Sequence, residues 1–434
     1  MTSPVSSLAV RLGGVLVGHL TRYPGDRTHF VVADSYVDLG PQRPVLSLSM
    51  ARPDDEASTR ALLLDSRHKS AAVKAPPFFA NLLPEGALRR TIAQRLKTHP
   101  DRDFDFLLAL GQDLPGAVVI STTEAAQTEQ APSVQGGDAG SASAVGARPD
   151  EPALKFSLAG VQMKFSMLRQ GERLVLAGQG QLGNYLVKPP SRDYEALPRL
   201  EAATMATARA AGMDVPEFRL VAASDVQSLP NAAAWHIDED FYAIRRFDRP
   251  EHAQGVGRVH IEDFAQVFNQ WPHDKYGQIN HEMMGRVLLR YAGGLADLKE
   301  MARRMVLNVL MGNGDAHIKN WSLIYDNPLR PRLAPAYDLV STVACMAHDT
   351  SLALNMGGVK QFEAITLDTF ATFLTRVGLA DQVHAEVMDE VRLAGQRVLA
   401  DWRGQFEAWG VPQLLVQRLE LHQKRLPLTA SLVG

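Results

Sequence analysis

The segment MGNGDAHIKNWSLIYD, Met311 to Asp326, places Asp315 five residues before Asn320 on one loop. A carboxylate and an amide at this D-x-x-x-x-N spacing are what phosphoryl transfer requires. The carboxylate orients an acceptor hydroxyl, and the amide oxygen helps hold a cation on the nucleotide phosphates. Asp338, in LAPAYDLVST, follows a short extended segment and supplies a second carboxylate. Asn320 and Asp338 together form an oxygen ligand set suited to Mg²⁺ bridging the phosphates of ATP. The plainer reading makes Gly-Asn-Gly-Asp a turn, Asn320 a capping residue and Asp338 another turn acid. His317 and Lys319 inside the same loop favour the chemical reading, although His317 by itself reads as a hydrogen-bonded structural histidine.

Positioning and charge neutralisation supply most of the catalysis in such reactions, so cations and backbone donors must also face the phosphates. Lys188 ends the apolar strand Tyr185-Leu186-Val187 just before Pro189-Pro190, where its ammonium could reach the α- and β-phosphates. Glu201, on the following helix, could hold that lysine in place; composition alone makes it an exposed helix glutamate. Ser157 opens a candidate phosphate-covering loop that runs through Leu158, Ala159, Gly160, Val161, Gln162, Met163 and Lys164. Gly160 permits close backbone approach and Lys164 adds charge. The loop matches neither a Walker A motif nor G-x-G-x-x-G, and without context it is a strand turn. Arg245-Arg246-Phe247-Asp248 ends another strand and reads as a hinge whose backbone pairs with the edge of adenine; surface salt bridges are the alternative for its two arginines.

The elements that must position these residues fall into two modules. Ala125 to Pro152 is rich in Ala, Gly, Ser, Pro and Gln and nearly lacks large apolar residues, which predicts a flexible linker. It separates an N-terminal α/β subdomain, residues 1–124, from an ATP-binding small lobe, residues 153–250, and a helical catalytic lobe, residues 251–434. The fold class predicted is α+β. Leu8, Val10 and Leu12 alternate before Gly13-Gly14 and point to a β-hairpin, followed by helices over Ala87–Leu96 and Asp103–Leu110. In the second module, alternating segments from Ser157 to Pro190 predict antiparallel strands. Leu197, Leu200, Thr204 and Ala208 recur at helical spacing, and Phe241–Phe247 is a further strand. Beyond Glu262 helices are predicted over Asp263–Gln270, His281–Tyr291, Leu298–Met311, Leu367–Val377, Gln382–Trp409 and Gln413–Leu426.

Composition bounds the function. The 434 residues are 46% hydrophobic and 21% charged, enough for two or three packed subdomains, and the net charge of −3 offers no broad cationic field for nucleic acid. The single cysteine, Cys345, excludes an internal disulfide, reads as a buried small apolar residue and fits a cytoplasmic setting. The first twenty residues lack a basic region ahead of an unbroken apolar stretch, so neither a signal peptide nor a membrane span is expected there.

Taken in order, PPFFANLLPEG (Pro76–Gly86), DFDFLLALGQDLPGAV (Asp103–Val118), SLAGVQMKFS, LVKPP, AIRRFDR, GNGDAHIKNWS and AYDLVST resemble the HipA kinase family across nearly the whole chain. The resemblance implies a bilobal protein-kinase-like fold with an added N-terminal subdomain, ATP and Mg²⁺ as cofactors, and serine phosphorylation. It implies Asp315 as catalytic aspartate, Asn320 and Asp338 as metal ligands, and Lys188 as the ATP-binding lysine. Ala159 to Lys164 would be the phosphate loop, Arg245 to Phe247, His317 and Tyr337 further nucleotide contacts, and Ser157 the serine of self-phosphorylation. Arg245 departs from the family, where an acidic hinge residue is familiar, and the polar linker is unusually long. The family's partners imply a small helix-turn-helix antitoxin of the HipB kind, operator DNA reached through it, and a translation enzyme, typically glutamyl-tRNA synthetase, as substrate. A small-molecule phosphotransferase of the aminoglycoside type and a kinase-shaped corepressor are the alternatives. The first needs no N-terminal platform, and the second needs none of the Asp, Asn and Lys groups that are present.

Overall fold

The computed structural model describes residues 6–122 and 163–433, apart from 68, 178–180, 192, 228, 230–238, 253–254 and 347. Ser157, Ala159 to Gln162 and the Ala125–Pro152 stretch lie outside the described residues. The architecture is α+β.

The predicted hairpin is formed by β1 (Ser6–Leu12) and β2 (Val15–Tyr23). Gly13 and Gly14 turn it at φ of 55° and 84°, a backbone region open to glycine at no steric cost. With β3 (Arg27–Val32), β4 (Ser70–Ala72) and β5 (Val118–Thr122) these strands make an antiparallel sheet of order β4-β3-β2-β1-β5. The helices Gly86–Leu96 and Asp103–Leu110 accompany it, contributing Leu88, Ile92, Phe104 and Phe106 to the core.

The second sheet contains β6 (Phe165–Gln170), β7 (Arg173–Leu176), β8 (Tyr185–Lys188), β9 (Phe218–Val221), β10 (Val226–Gln227) and β11 (Phe241–Arg245). Their order is β10-β7-β6-β8-β11-β9, antiparallel except for the β10–β7 pair. The side-chain period of two divides the sheet's residues between two cores. Phe165, Met167, Tyr185, Val187, Phe241 and Ala243 join the same buried cluster as Leu8, Phe30, Phe78 and Phe106 of the N-terminal sheet and helices. Leu186, Tyr242 and Ile244 face the other way, onto the helix Leu197–Ala210 and the helical half of the molecule. The two modules read from sequence therefore share one interior along this sheet.

Helices His281–Tyr291, Leu295–Leu310, Leu367–Val377, Asp381–Ala408, Gln413–Arg425 and Pro427–Val433 build the remaining core. Leu295–Leu310 is its axis, with twelve of sixteen residues buried. The chain leaves it through the Asp315 loop into strand Ser322–Asn327, which is flanked by His260–Asp263 and Arg330–Leu333. This small sheet is tied to the N-terminal subdomain. Glu262 accepts from the Ser47 hydroxyl at 2.6 Å and the Leu48 amide at 2.9 Å, and His260 Nε2 contacts the Leu46 carbonyl at 2.8 Å. Among the described residues no helix is long and apolar enough to cross a membrane.

Candidate active site

A cleft of about 1160 Å³ opens between the second sheet, the helical half and the N-terminal subdomain. Its floor is the Asp315 loop, whose backbone is fixed by its own side chains. Gly312 turns the chain at φ 60°, where a Cβ would come within 2.4 Å of Val343 Cγ2. The Asn313 side chain accepts from the Asp315 amide at 3.2 Å and donates to Asn308 Oδ1 at 3.0 Å. The Asp315 carbonyl accepts from the His317 amide at 2.7 Å and from Asn320 Nδ2 at 2.9 Å. That last bond turns the amide nitrogen of Asn320 inward. The Asp315 carboxylate faces the cleft, where it accepts from the Tyr276 phenol at 2.5 Å and lies 3.9 Å from His317 Nε2. Lost solvent raises the Asp315 carboxyl above its ordinary value, and the Tyr276 bond works against that rise.

Period-two alternation puts Lys188 on the face of β8 that carries Leu186, the face covered by helix Leu197–Ala210. Its ammonium meets Glu201 on that helix at 2.6 Å and also bonds Asp338. Glu201 is buried, which corrects the compositional expectation of an exposed helix glutamate. Burial opposes the charge of Lys188, and the Asp338 and Glu201 carboxylates outweigh it, holding the lysine above its usual value. Burial likewise opposes ionisation of Asp338, but Lys188 and Lys164 reverse that and hold its carboxyl well below the usual range. Glu201 is pushed up to about 7 by burial, against the pull of Lys188. Lys164 lines the same cleft, and burial brings it down to about 8. Asp338 has φ 57°, an uncommon backbone setting for a residue other than glycine, and it turns the chain at the cleft floor.

The remaining predicted residues divide. Met163, Arg245, Arg246, Phe247 and Tyr337 all line the cleft, with the rings of Phe247 and Tyr337 5.7 Å apart. The Tyr337 hydroxyl donates to the Lys319 carbonyl at 2.9 Å and pairs with Ser322 at 2.5 Å. Arg245 is near Glu251 at 3.8 Å and partly exposed, which fits the surface ion pair considered for it. Arg246 fits no surface role: its guanidinium bonds both oxygens of Asp248 at 3.0 and 2.8 Å and reaches Asp113 and Ser166 in a buried network with Arg249. Its backbone amide donates to the Asn184 carbonyl at 2.8 Å and its carbonyl accepts from the Arg249 amide at 3.2 Å. His317 is buried, its Nδ1 has no hydrogen-bond partner among the described residues, and burial drives its pKa down to about 3. The structural hydrogen bond expected of its ring is absent there. Cys345 is half-buried at the cleft wall rather than enclosed in the core.

Two features were not visible in sequence. Lys319 is buried and joins the loop to the N-terminal subdomain, bonding Asn81 Oδ1 at 2.7 Å and pairing with Glu85 at 3.4 Å and Asp263 at 3.2 Å. The segment PPFFANLLPEG thus braces the Asp315 loop from behind. Tyr276, which contacts Asp315 directly, lies in WPHDKYGQ, a stretch with no periodicity; the turn residue Gly277 beside it was its only signal.

Comparison with known proteins matches residues 156–399 to the HipA-like C-terminal domain and residues 8–121 to the HipA N-terminal domain. A putative kinase of Sinorhizobium fredii, Y4dM, is 39% identical over 98% of each chain. The serine/threonine-protein kinase toxin HipA of Shewanella oneidensis is 24% identical over 70% of this chain and 71% of its own. A solved complex of HipA, HipB and operator DNA from the same organism aligns over 96% of both chains with a TM-score of 0.67 at 20% identity, a likeness of fold.

Proposed function

The chain belongs to the HipA family, and from that membership we propose that it is an ATP- and Mg²⁺-dependent serine/threonine-protein kinase of bilobal protein-kinase-like form, the toxin of a toxin–antitoxin pair. The observation that carries the reading is the convergence of Asp315, Asn320, Asp338 and the Lys188–Glu201 pair on one cleft, from elements up to 150 residues apart.

The residues fit the ligands the family implies. Asn320 turns its Nδ2 to the loop and thereby leaves its amide oxygen for a cation, beside an Asp338 held ionised. Among the described residues no cluster of three or more His, Cys, Asp or Glu could hold a metal unaided, which suits Mg²⁺, an ion that takes one or two carboxylates and completes its shell with phosphate and water. Asn320 and Asp338 would hold Mg²⁺ there, and the ion would supply neutralisation of the charge that develops on the phosphates. Lys188, steadied by Glu201, presents its ammonium to the phosphates, and Lys164 adds a second cation from the sheet side. The unpartnered His317 nitrogen offers a further polar contact. Asp315 accepts the proton of the substrate hydroxyl. The rings of Phe247 and Tyr337, with the Arg245–Phe247 backbone, flank the base.

From the Shewanella complex we carry over a HipB-like helix-turn-helix antitoxin and, through it, operator DNA. Family resemblance alone supports a translation component such as glutamyl-tRNA synthetase as substrate, residues 159–162 as the rest of the phosphate loop, and self-phosphorylation at Ser157. Incubation with labelled ATP and Mg²⁺ tests the assignment. Label is expected on this chain or a lysate protein with wild type and none with Asp315→Ala, whose thermal midpoint stays near wild type. Label transfer by Asp315→Ala at the wild-type rate would refute it.

A further inference from the structure

We infer that Tyr276 gates the acceptor side of the cleft, its phenol holding on Asp315 the place that an incoming hydroxyl must take. This deepens the kinase reading and rests on it. The phenol donates to Asp315 Oδ1 at 2.5 Å, and Oδ1 is also the oxygen nearest His317. The loop's backbone does not depend on that bond, since Asn313, His317 and Asn320 already fix it. The tyrosine is 48% exposed at the cleft and rests edge-on against the His317 ring with centroids 5.1 Å apart.

Transfer breaks the substrate O–H and the bond between the γ-phosphorus and its bridging oxygen, and forms the new O–P bond. The proton goes to Asp315, and the leaving electron pair departs on ADP. A phenol already donating to Asp315 competes for the lone pair that must take this proton and weakens the carboxylate as a base. It must therefore swing away first. What holds it closed is the N-terminal subdomain. Asn81 Nδ2 donates to the Gln270 carbonyl at 2.7 Å, Trp271 Nε1 to the Ala75 carbonyl at 3.3 Å, and Lys275 lies 3.8 Å from Glu85. Each of these ties is on the stretch that leads into Tyr276.

The test uses the full chain with Mg-ATP and two acceptors, water, read as inorganic phosphate release, and dephosphorylated casein. A charge-assisted hydrogen bond of this kind is worth roughly tenfold in rate. Tyr276→Phe keeps the ring against His317 and is expected to raise kcat on both acceptors by about that factor with the KM for ATP unchanged. Tyr276→Ala, which also empties the ring position, should be at least as fast. A fall in kcat at unchanged KM would make Tyr276 a positioning residue for Asp315 and overturn the gate. Equal rates in wild type and both variants overturn it while leaving the kinase reading in place. Absence of transfer by every protein, with no nucleotide bound, removes that reading and the gate together.

Discussion

Replacing Lys188 by Met separates what the buried charges do for stability from what they do for chemistry. The Lys188 and Glu201 side chains are 5% and 4% exposed, 2.6 Å apart, while Asp338 on the other side of the ammonium is 32% exposed. With the lysine gone, two carboxylates face a vacated apolar position. Removing one member of a buried pair costs about 3–5 kcal/mol, because the other is left without compensation. Asp338 can turn toward the cleft, so the low end, about 3 kcal/mol, is expected. Adding Glu201→Gln replaces the buried carboxyl left without its cation by a neutral amide, and the double variant should regain most of that loss. Phosphate transfer should be lost in both, since neither has the Lys188 ammonium to place on the phosphates. Urea denaturation at neutral pH, followed at the first transition, measures the stabilities, and labelled ATP measures transfer. A single variant within about 1 kcal/mol of wild type, or a double variant no more stable than the single, would refute the buried-charge account.

Two further perturbations follow from the same geometry. Asp338→Asn exchanges an anionic ligand for a neutral one and should raise the Mg²⁺ needed for half-maximal transfer by about tenfold or more, read by Mg²⁺ titration; an unchanged requirement would remove Asp338 from the metal site. Glu262, wholly buried between the Ser47, Leu48 and Tyr325 donors, is pushed from 4.5 up to about 7 by burial, against those three hydrogen bonds. Its folded form holds the proton more tightly than its unfolded form. The stability it contributes is therefore full below about pH 4.5 and falls as pH rises through about 7, a loss of about 3 kcal/mol. Glu262→Gln should flatten that part of the urea-midpoint profile, and parallel profiles for variant and wild type would contradict it.

Where local pattern decides structure, the sequence is a good guide. His281–Tyr291 and Leu367–Val377 run over the predicted bounds because their apolar period is bracketed by caps, Asn280 accepting from the Met283 amide and Gly378 closing the second helix at φ 89°. The seven-residue helix Pro427–Val433 went unread because it is too short to show a period. The loop spacing of Asp315 and Asn320 was legible, and the structure adds their common cleft with Asp338. The Lys188–Glu201 pairing was legible as a candidate, but the burial of Glu201 was not, since residues thirteen positions apart meet through strand register and the helix laid on that face. The surface ion pair considered for Arg246 fails because its buried partner Asp113 comes from 133 residues upstream, in the other subdomain. Tyr276 and the Lys319 brace depend on contacts between distant segments that no window of sequence displays.

The interior shared by the two sheets bears on how this protein can be divided. A fragment beginning at residue 163 would keep Asp315, Asp338 and Lys188 yet present Phe165, Tyr185 and Phe241 to water as one aromatic plane. At roughly 150–250 Å² for each ring, that plane matches or exceeds the apolar patches tolerated on soluble monomers. The catalytic half alone would therefore be sticky rather than free. Expressed as two polypeptides parted anywhere between residues 122 and 163, the halves instead carry matching apolar faces, the physical basis of a split protein whose activity reports their reunion.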